Sequence, residues 1–342
     1  MPNLSNQHEV ISSTGILITN LGTPDAPTAQ SLRKYLKEFL WDRRVVDIPR
    51  PLWWLILNGI ILNTRPKKSA AAYQKVWTAQ GSPLLQISLK QQEKLQIELN
   101  KLCKAPVKVA LGMRYGSPSI EAAIEELKTT NIQRLLVLPL YPQHATATTA
   151  STFDALGLAM KKQPWIFDTR FVSNYHDNVS YIAAISRQIE NFWAINGKAE
   201  KLFFSFHGMP AKTLSAGDPY YYQCQNSARL VAEKLDLGKE QWLVAFQSRF
   251  GKEEWLKPYA DETLKNLGQN KLSSVDVVCP GFSADCLETL EEMAEENKET
   301  FLQAGGGQYR YIPALNDSDV HIQTLVDIIY QHTQDWPIWD KT

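Results

Sequence analysis

The chain has 342 residues, 44% hydrophobic and 21% charged, with 36 basic residues against 36 acidic ones. That composition is globular and suits one large α/β domain or two of ordinary size. With zero formal net charge and no basic block, nothing global calls for a nucleic-acid partner. Four cysteines, Cys103, Cys224, Cys279 and Cys286, lack CxxC pairing and zinc-ribbon spacing, so they read as reduced thiols of a cytosolic protein. Residues 1–10 are polar and carry no apolar signal-peptide core.

Residues 15–21 read as a buried strand, closed by Gly22-Thr23-Pro24. The most membrane-like segment follows at residues 51–62, Pro51-Leu52-Trp53-Trp54-Leu55-Ile56-Leu57-Asn58-Gly59-Ile60-Ile61-Leu62. It is too short to span a bilayer, which takes about 20 apolar residues. Arg43, Arg44 and Arg50 precede it, and Arg65, Lys67 and Lys68 follow. Paired tryptophans, aliphatics and flanking cations suit either a buried helix or a surface that dips into the lipid interface. Residues 107–113 form a second strand, and a helix over 119–129 places Ile120, Ala123, Ile124 and Leu127 on one face. A third strand at 135–141 is punctuated by Pro142. Continuous apolar strands in β-α-β alternation mark a parallel sheet covered on both faces. After a helix around 152–162 the pattern restarts, with strands at 166–172, 201–206, 241–246, 275–279 and 309–312. Two similar α/β units are expected, meeting near residues 150–170 without a low-complexity linker.

The strand at 201–206 ends abruptly in His207, and Gly208 and Pro210 break the backbone after it. In open α/β sheets, ligands bind in the crevice beyond the carboxyl ends of the strands. The strand at 275–279 ends in Pro280-Gly281-Phe282 and runs into Asp285, Glu288, Glu292 and Glu296. Arg114 and Tyr115 follow the second strand, Tyr141 and His144 the third, and Gln247, Ser248 and Arg249 the strand at 241–246. Parallel sheets would converge these groups on one cleft. The run Glu288, Glu291, Glu292, Glu295, Glu296 and Glu299 could be a plain solvated face. Yet like charges four apart destabilise a helix, and Lys298 alone lies close enough in sequence to offset them. A stripe of Glu288, Glu292 and Glu296 leading from a strand end suits the passage of a hydrated divalent cation or of protons. Imidazole beside carboxylate favours iron, zinc or a similar metal. Gly305-Gly306-Gly307 lacks the lysine and hydroxyl of a P-loop, and neither a GxGxxG nor a GxSxG motif occurs.

The ordered motifs now resemble one family, the bacterial ferrochelatases, from about Gly15 to Leu315. They are Asn20-Leu21-Gly22-Thr23-Pro24, Phe39-Leu40-Trp41-Asp42-Arg43-Arg44-Val45-Val46, Gly81-Ser82-Pro83-Leu84, Met113-Arg114-Tyr115-Gly116 and Leu140-Tyr141-Pro142-Gln143. Further on come Ser205-Phe206-His207-Gly208, Gln247-Ser248-Arg249-Phe250-Gly251 and the stretch from Pro280 to Leu290. The resemblance implies an α/β fold of two Rossmann-like domains with parallel sheets, residues 1–160 and 161–342, and a porphyrin cleft between them. It implies His207 and Glu288 as catalytic and metal-handling residues, with Asp285, Glu292 and Glu296 on a metal or proton path. Leu21, Arg114, Tyr115, Tyr141 and Trp255 match substrate-binding positions. Residues 51–62 match an apolar lip over the cleft mouth, which favours the interfacial reading of that segment. Thr146 stands where cluster-bearing relatives have a cysteine, and no cysteine follows Cys286, so no [2Fe-2S] cluster and no permanently bound cofactor are expected. Cys286 stands where animal relatives have a histidine.

The activity so implied is insertion of Fe(II), as substrate, into protoporphyrin IX with release of two protons, the last step of haem synthesis. An imidazole titrates near physiological pH and can take a pyrrole proton; Glu288 can pair with the imidazolium, or both residues can ligate iron before delivery. The rivals are a coproporphyrin or cobalt chelatase of the same fold and a non-catalytic tetrapyrrole carrier. A carrier would need the cleft but not the carboxylate stripe. The expected setting is the cytoplasm, with peripheral contact at the inner membrane face, as a monomer or homodimer.

Overall fold

The computed structural model describes residues 13–339 except Lys252, so the polar segment 1–10 lies outside the described residues. Two four-stranded parallel sheets form the frame. One holds β1 (Ser13–Thr23), β2 (Val107–Gly116), β3 (Ile132–Pro139) and β4 (Asp168–Phe171) in the order β2-β1-β3-β4. The other holds β5 (Lys201–His207), β6 (Trp242–Gln247), β7 (Ser274–Val278) and β8 (Gln308–Ile312) in the order β6-β5-β7-β8. The winding is the same in both. Leu17 of β1 lies between Ala110 and Val137, and Phe203 of β5 lies between Leu243 and Val277. Strand order reverses between the first and third strands of such a sheet, and the crevice outside their carboxyl ends is the natural ligand site.

Side chains alternate across each strand, and the two faces of each sheet feed different cores. Ile16, Ile18, Leu136 and Leu138 of the first sheet share one apolar core with Phe204, Phe206 and Val278 of the second. Leu95, Ile185 and Ile329 join it from helices Pro83–Leu102, Val179–Asn196 and Asp319–Thr333. The opposite faces have separate covers, Leu17 and Val137 under Ile124 and Leu127, and Phe203 and Val277 under Leu264 and Phe301. The two halves therefore share one core, to which these three helices also contribute, as the absence of a linker suggests. The expected division at 160 cuts the first sheet, because β4 pairs with β3 as far as Phe171. Helix Asp319–Thr333 also crosses back, packing on helix Pro83–Leu102 and on β3.

The segment at 51–62 is helical and divided between core and surface. Helix Arg50–Ile56 runs through a π-helical turn, Leu57–Ile61, into helix Leu62–Val76. Trp53 is buried and its Nε1 donates to the Leu40 carbonyl at 2.7 Å, whereas Trp54 is 55% exposed. The two tryptophans are not a pair: one anchors the lip and the other faces outward with Leu52, Leu55 and Ile60. The four cysteines are free thiols.

A polar joint fastens the halves beneath the cleft. Gln91 is fully buried, and its Nε2 donates to the carbonyls of Ser283 at 3.0 Å and Asn316 at 2.9 Å. His321 lies 2.6 Å from the Asn316 carbonyl through Nδ1. A carbonyl only accepts, so Nδ1 carries the proton. Burial pushes the His321 pKa down to about 4, so folding favours the neutral ring. The unfolded chain takes up a proton near pH 6.5. Stability contributed by this residue is full above that pH and falls as pH drops toward 4, by about 3 kcal/mol in all. His321→Gln should flatten the urea-unfolding free energy between pH 6.5 and 4; an unchanged slope would place the acid sensitivity elsewhere.

Candidate active site

A cleft open to solvent lies where both sheets present their switch points. Its walls include Leu21 to Thr23 from β1, Leu140 and Tyr141 after β3, His207 at the end of β5, and Gly281 to Ala284 and Cys286 to Glu288 after β7. Two glycines make this convergence possible. Gly22 has φ +105°, and a Cβ there would sit 1.8 Å from the Tyr115 carbonyl oxygen. At Gly208, just past His207, a Cβ would sit 2.7 Å from the Gln247 carbonyl oxygen and 3.0 Å from the Trp255 ring.

The apolar walls leave few groups able to exchange protons. Tyr35, Tyr73, Tyr141 and Tyr220 line the cleft, and burial pushes each phenol well above its usual range. Burial acts likewise on Cys286, with Glu288 adding to it, so the thiol keeps its proton. Among the ionisable lining residues that leaves His207 and Glu288. The His207 Nδ1 lies 2.7 Å from the Gly208 carbonyl. It must therefore be the protonated nitrogen, which leaves the Nε2 lone pair as the ring's acceptor or metal donor.

Glu288 opens a nine-residue π-helix, Glu288–Glu296, where the charge pattern was expected on an α-helix. Its i→i+5 pairing is seen at its end, where the Asn297 N–H donates to the Glu292 carbonyl. Such wide turns are rare and concentrate at functional sites. Side chains take up the displaced carbonyls: Gln247 Nε2 donates to Glu288 O at 2.8 Å, and Asn297 Nδ2 to Glu292 O at 3.0 Å. Gln247 is itself oriented by Ser205 Oγ, which donates to its Oε1 at 2.7 Å. Ser248 clamps the Glu292 carboxylate twice, through its N–H at 2.6 Å and through its hydroxyl. It does so from a left-handed backbone, φ +64°, costly for a residue with a Cβ. Burial raises the Glu292 pKa against the opposing pull of those bonds and of the His207 charge.

The family model described as Ferrochelatase matches residues 13–333. A protein named Ferrochelatase from Thioalkalivibrio sulfidiphilus is 54% identical over 323 residues, 94% of this chain and 88% of its own length. One of the same name from Marinobacter nauticus is 53% identical over 336 residues, 98% of this chain and 91% of its own. The chain belongs to the ferrochelatase family. Among solved structures, SirB from Bacillus subtilis with Fe3+ matches with a TM-score of 0.56 at 11% identity, over 96% of this chain and all of that one. That likeness supports the fold alone. A ferrochelatase is a lyase that inserts iron into protoporphyrin for haem synthesis, and this is the activity of the chain.

Of the expected site residues of this ferrochelatase, Leu21, Tyr141, His207 and Glu288 line the cleft. Arg114, Tyr115 and Trp255 stand outside that lining because each is already engaged. The Arg114 guanidinium bonds to Asp42 and to Ser151 Oγ at 2.6 Å, and the buried Tyr115 hydroxyl donates to Asp42 at 2.8 Å. Trp255 is buried against Gly208 and Phe250, backing His207. The Asp285 carboxylate turns aside, taking hydrogen bonds from Thr289, Tyr311 and Asn316. Glu292 lies behind Glu288 in the grip of Ser248, and Glu296 is exposed at the outer end beside Glu291 and Lys75. Among the described residues no three His, Cys, Asp or Glu side chains form a metal cage. Gln247 and Ser248 stand at a strand end, and no local pattern in the sequence signals their hold on the π-helix. Ser248→Gly should be more stable to urea than Ser248→Ala by about 1 kcal/mol, since both lose the hydroxyl and only alanine retains the strain. Equal stabilities would mean the loop relaxes without cost.

Proposed function

We propose that His207 and Glu288 carry the insertion chemistry, with Fe(II) and the porphyrin both as substrates. One observation bears most of the weight: in a cleft whose tyrosines and thiol hold their protons, this imidazole and this carboxylate remain to trade them. Two pyrrole N–H protons must leave as Fe(II) sheds water and enters the ring. His207 Nε2, its lone pair exposed by the Nδ1 bond to Gly208, takes a pyrrole proton. Glu288 neutralises the resulting imidazolium and attracts the cation, and Glu292 and Glu296 continue the acidic column outward. Arg114, Tyr115 and Trp255 act behind the wall as supports of Tyr141 and His207. No cluster enters this reading, which the burial of Cys224, Cys279 and Cys286 supports. His207→Ala and Glu288→Gln should each lower kcat for Zn(II) or Fe(II) insertion by at least about a hundredfold. Porphyrin binding, read by tryptophan fluorescence, should persist. Insertion by either variant at wild-type rates would remove that residue from the chemistry.

The lip is the second element of this reading. No described helix is long and apolar enough to cross a membrane. Leu52, Trp54, Leu55 and Ile60 are each more than half exposed, and Arg50 and Arg65 flank them. Such a surface fits the headgroup boundary of an anionic bilayer, a suitable place to meet a poorly soluble porphyrin. Replacing both Trp54 and Leu55 by serine should cut the fraction bound to phosphatidylglycerol vesicles by about tenfold. Equal sedimentation of both proteins with vesicles would refute lipid contact at the lip.

A further inference from the structure

Helix Leu62–Val76, which continues the lip, touches the other half of the molecule near both of its ends. In its first turn the Arg65 guanidinium lies 5.2 Å from the ring centroid of Phe250, which itself packs on Trp255 at 4.7 Å. In its last turn Lys75 Nζ lies 2.7 Å from Glu291 Oε1. Glu291 belongs to the π-helix and its side chain is only 10% exposed, whereas that of Lys75 is 52% exposed. Two residues before Lys75, Tyr73 lines the cleft. The same helix thus carries a cleft wall, the continuation of the lip, and an ion pair to a π-helix carboxylate.

The charge pattern explains what this pair does. The π-helix and the turn after it hold Glu288, Glu291, Glu292, Glu295, Glu296 and Glu299, with Lys298 as the nearest cation in sequence. Like charges so spaced push a helix apart, and wide-turn geometry is a poor one to begin with. Gln247 and Ser248 restrain the inner side of the helix. On its outer side, Lys75 faces Glu291 directly and also acts on Glu296, where Lys68 adds a weaker pull and Glu291 an opposing one. A carboxylate as buried as Glu291 is costly to leave without its cation.

We propose that Lys75 is a positioning residue of the insertion reaction: paired with Glu291 of the other half, it holds the π-helix in the register that sets Glu288 and Glu292 against His207. It touches neither substrate. Because it sits on the helix that continues the lip, it also ties the carboxylates to the wall that receives the porphyrin. The inference rests on the roles proposed above for Glu288 and His207.

The test follows Zn(II) insertion into protoporphyrin with Lys75→Met, Lys75→Arg, Glu291→Gln and the double variant Lys75→Met/Glu291→Gln. Glu288→Gln runs beside them. Lys75→Met should lower kcat by about tenfold while leaving the KM for porphyrin within about twofold, since the cleft walls are intact. Lys75→Arg should return kcat to within about twofold of wild type. Glu291→Gln should show the same loss as Lys75→Met, and the double variant should be no worse than either, since the two act as one pair. If Lys75→Met does not fold, Glu291→Gln alone must show the kcat loss at unchanged porphyrin KM. Wild-type kcat in Lys75→Met or in Glu291→Gln, failure of arginine to rescue, or losses that multiply in the double variant would each overturn the pairing. If Glu288→Gln remains fully active, the site reading itself falls; if Glu288→Gln is inactive and Lys75→Met is normal, the role of Lys75 alone falls.

Discussion

The shared apolar core holds the two halves against one another, and the cleft exists because of that packing. Ile16 and Ile18 on one side and Phe204 and Phe206 on the other belong to strands that end at the cleft, β1 in Leu21-Gly22-Thr23 and β5 in His207. Because the two sheets are wound in the same order, each offers a switch point, and the core brings both to one place. A change that let the sheets slide would separate the Tyr141 wall from the His207 wall without unfolding either. The buried amide of Gln91 opposes such sliding, since its two hydrogen bonds end on the segments that follow β7 and β8.

A second constraint is local. A π-helix of nine residues needs partners for its displaced carbonyls and some answer to its charge. The inner face gets both from one strand end, where Gln247 takes the Glu288 carbonyl and Ser248 takes the Glu292 carboxylate. The left-handed backbone of Ser248 is the strain that this arrangement tolerates. Two shorter π-helical turns occur in the described chain, Leu57–Ile61 in the lip and Thr146–Ala150, whose Thr148 lines the cleft. Thr146–Ala150 and Glu288–Glu296 each contribute a cleft-lining residue, where irregular backbone lets side chains point in directions that an α-helix would not allow.

Much of the frame was legible in the sequence because β-α-β alternation and strand-end punctuation are local signals. The strands at 15–21, 107–113, 201–206 and 275–279 appear within a few residues of where they were expected. The convergence of His207 and Glu288 followed from parallel topology, which needs no contact information. What the sequence did not show depends on pairings distant along the chain. Trp53 and Trp54 look equivalent until the Leu40 carbonyl claims one of them. Arg114 reads as a cleft residue until Asp42 and Ser151 draw it behind the wall. The Asp285 carboxylate reads as the first member of an acidic column, yet Tyr311 and Asn316 fix it elsewhere. The α-helical period assumed for residues 288–296 fails because helix type here is decided by Gln247 and Ser248, some forty residues away.

The graded burial of the acidic column bears on how protons leave. A carboxyl at its ordinary pKa is a poor acceptor from an imidazolium, and burial narrows that gap by raising the carboxyl. Glu292 is raised in this way, and the exposed Glu296 is raised as well, by burial of part of its side chain and by Glu291. The charge of His207 acts on Glu292 in the opposite direction. A positive charge on the imidazole therefore favours loss of a proton from Glu292. If His207 takes a pyrrole proton as proposed, its charge favours the ionised form of Glu292, and the outward order from Glu288 through Glu292 to Glu296 would give a released proton a direction. The clamp from Ser248 works in the same sense as the charge on His207, both opposing the burial that favours the protonated form of Glu292.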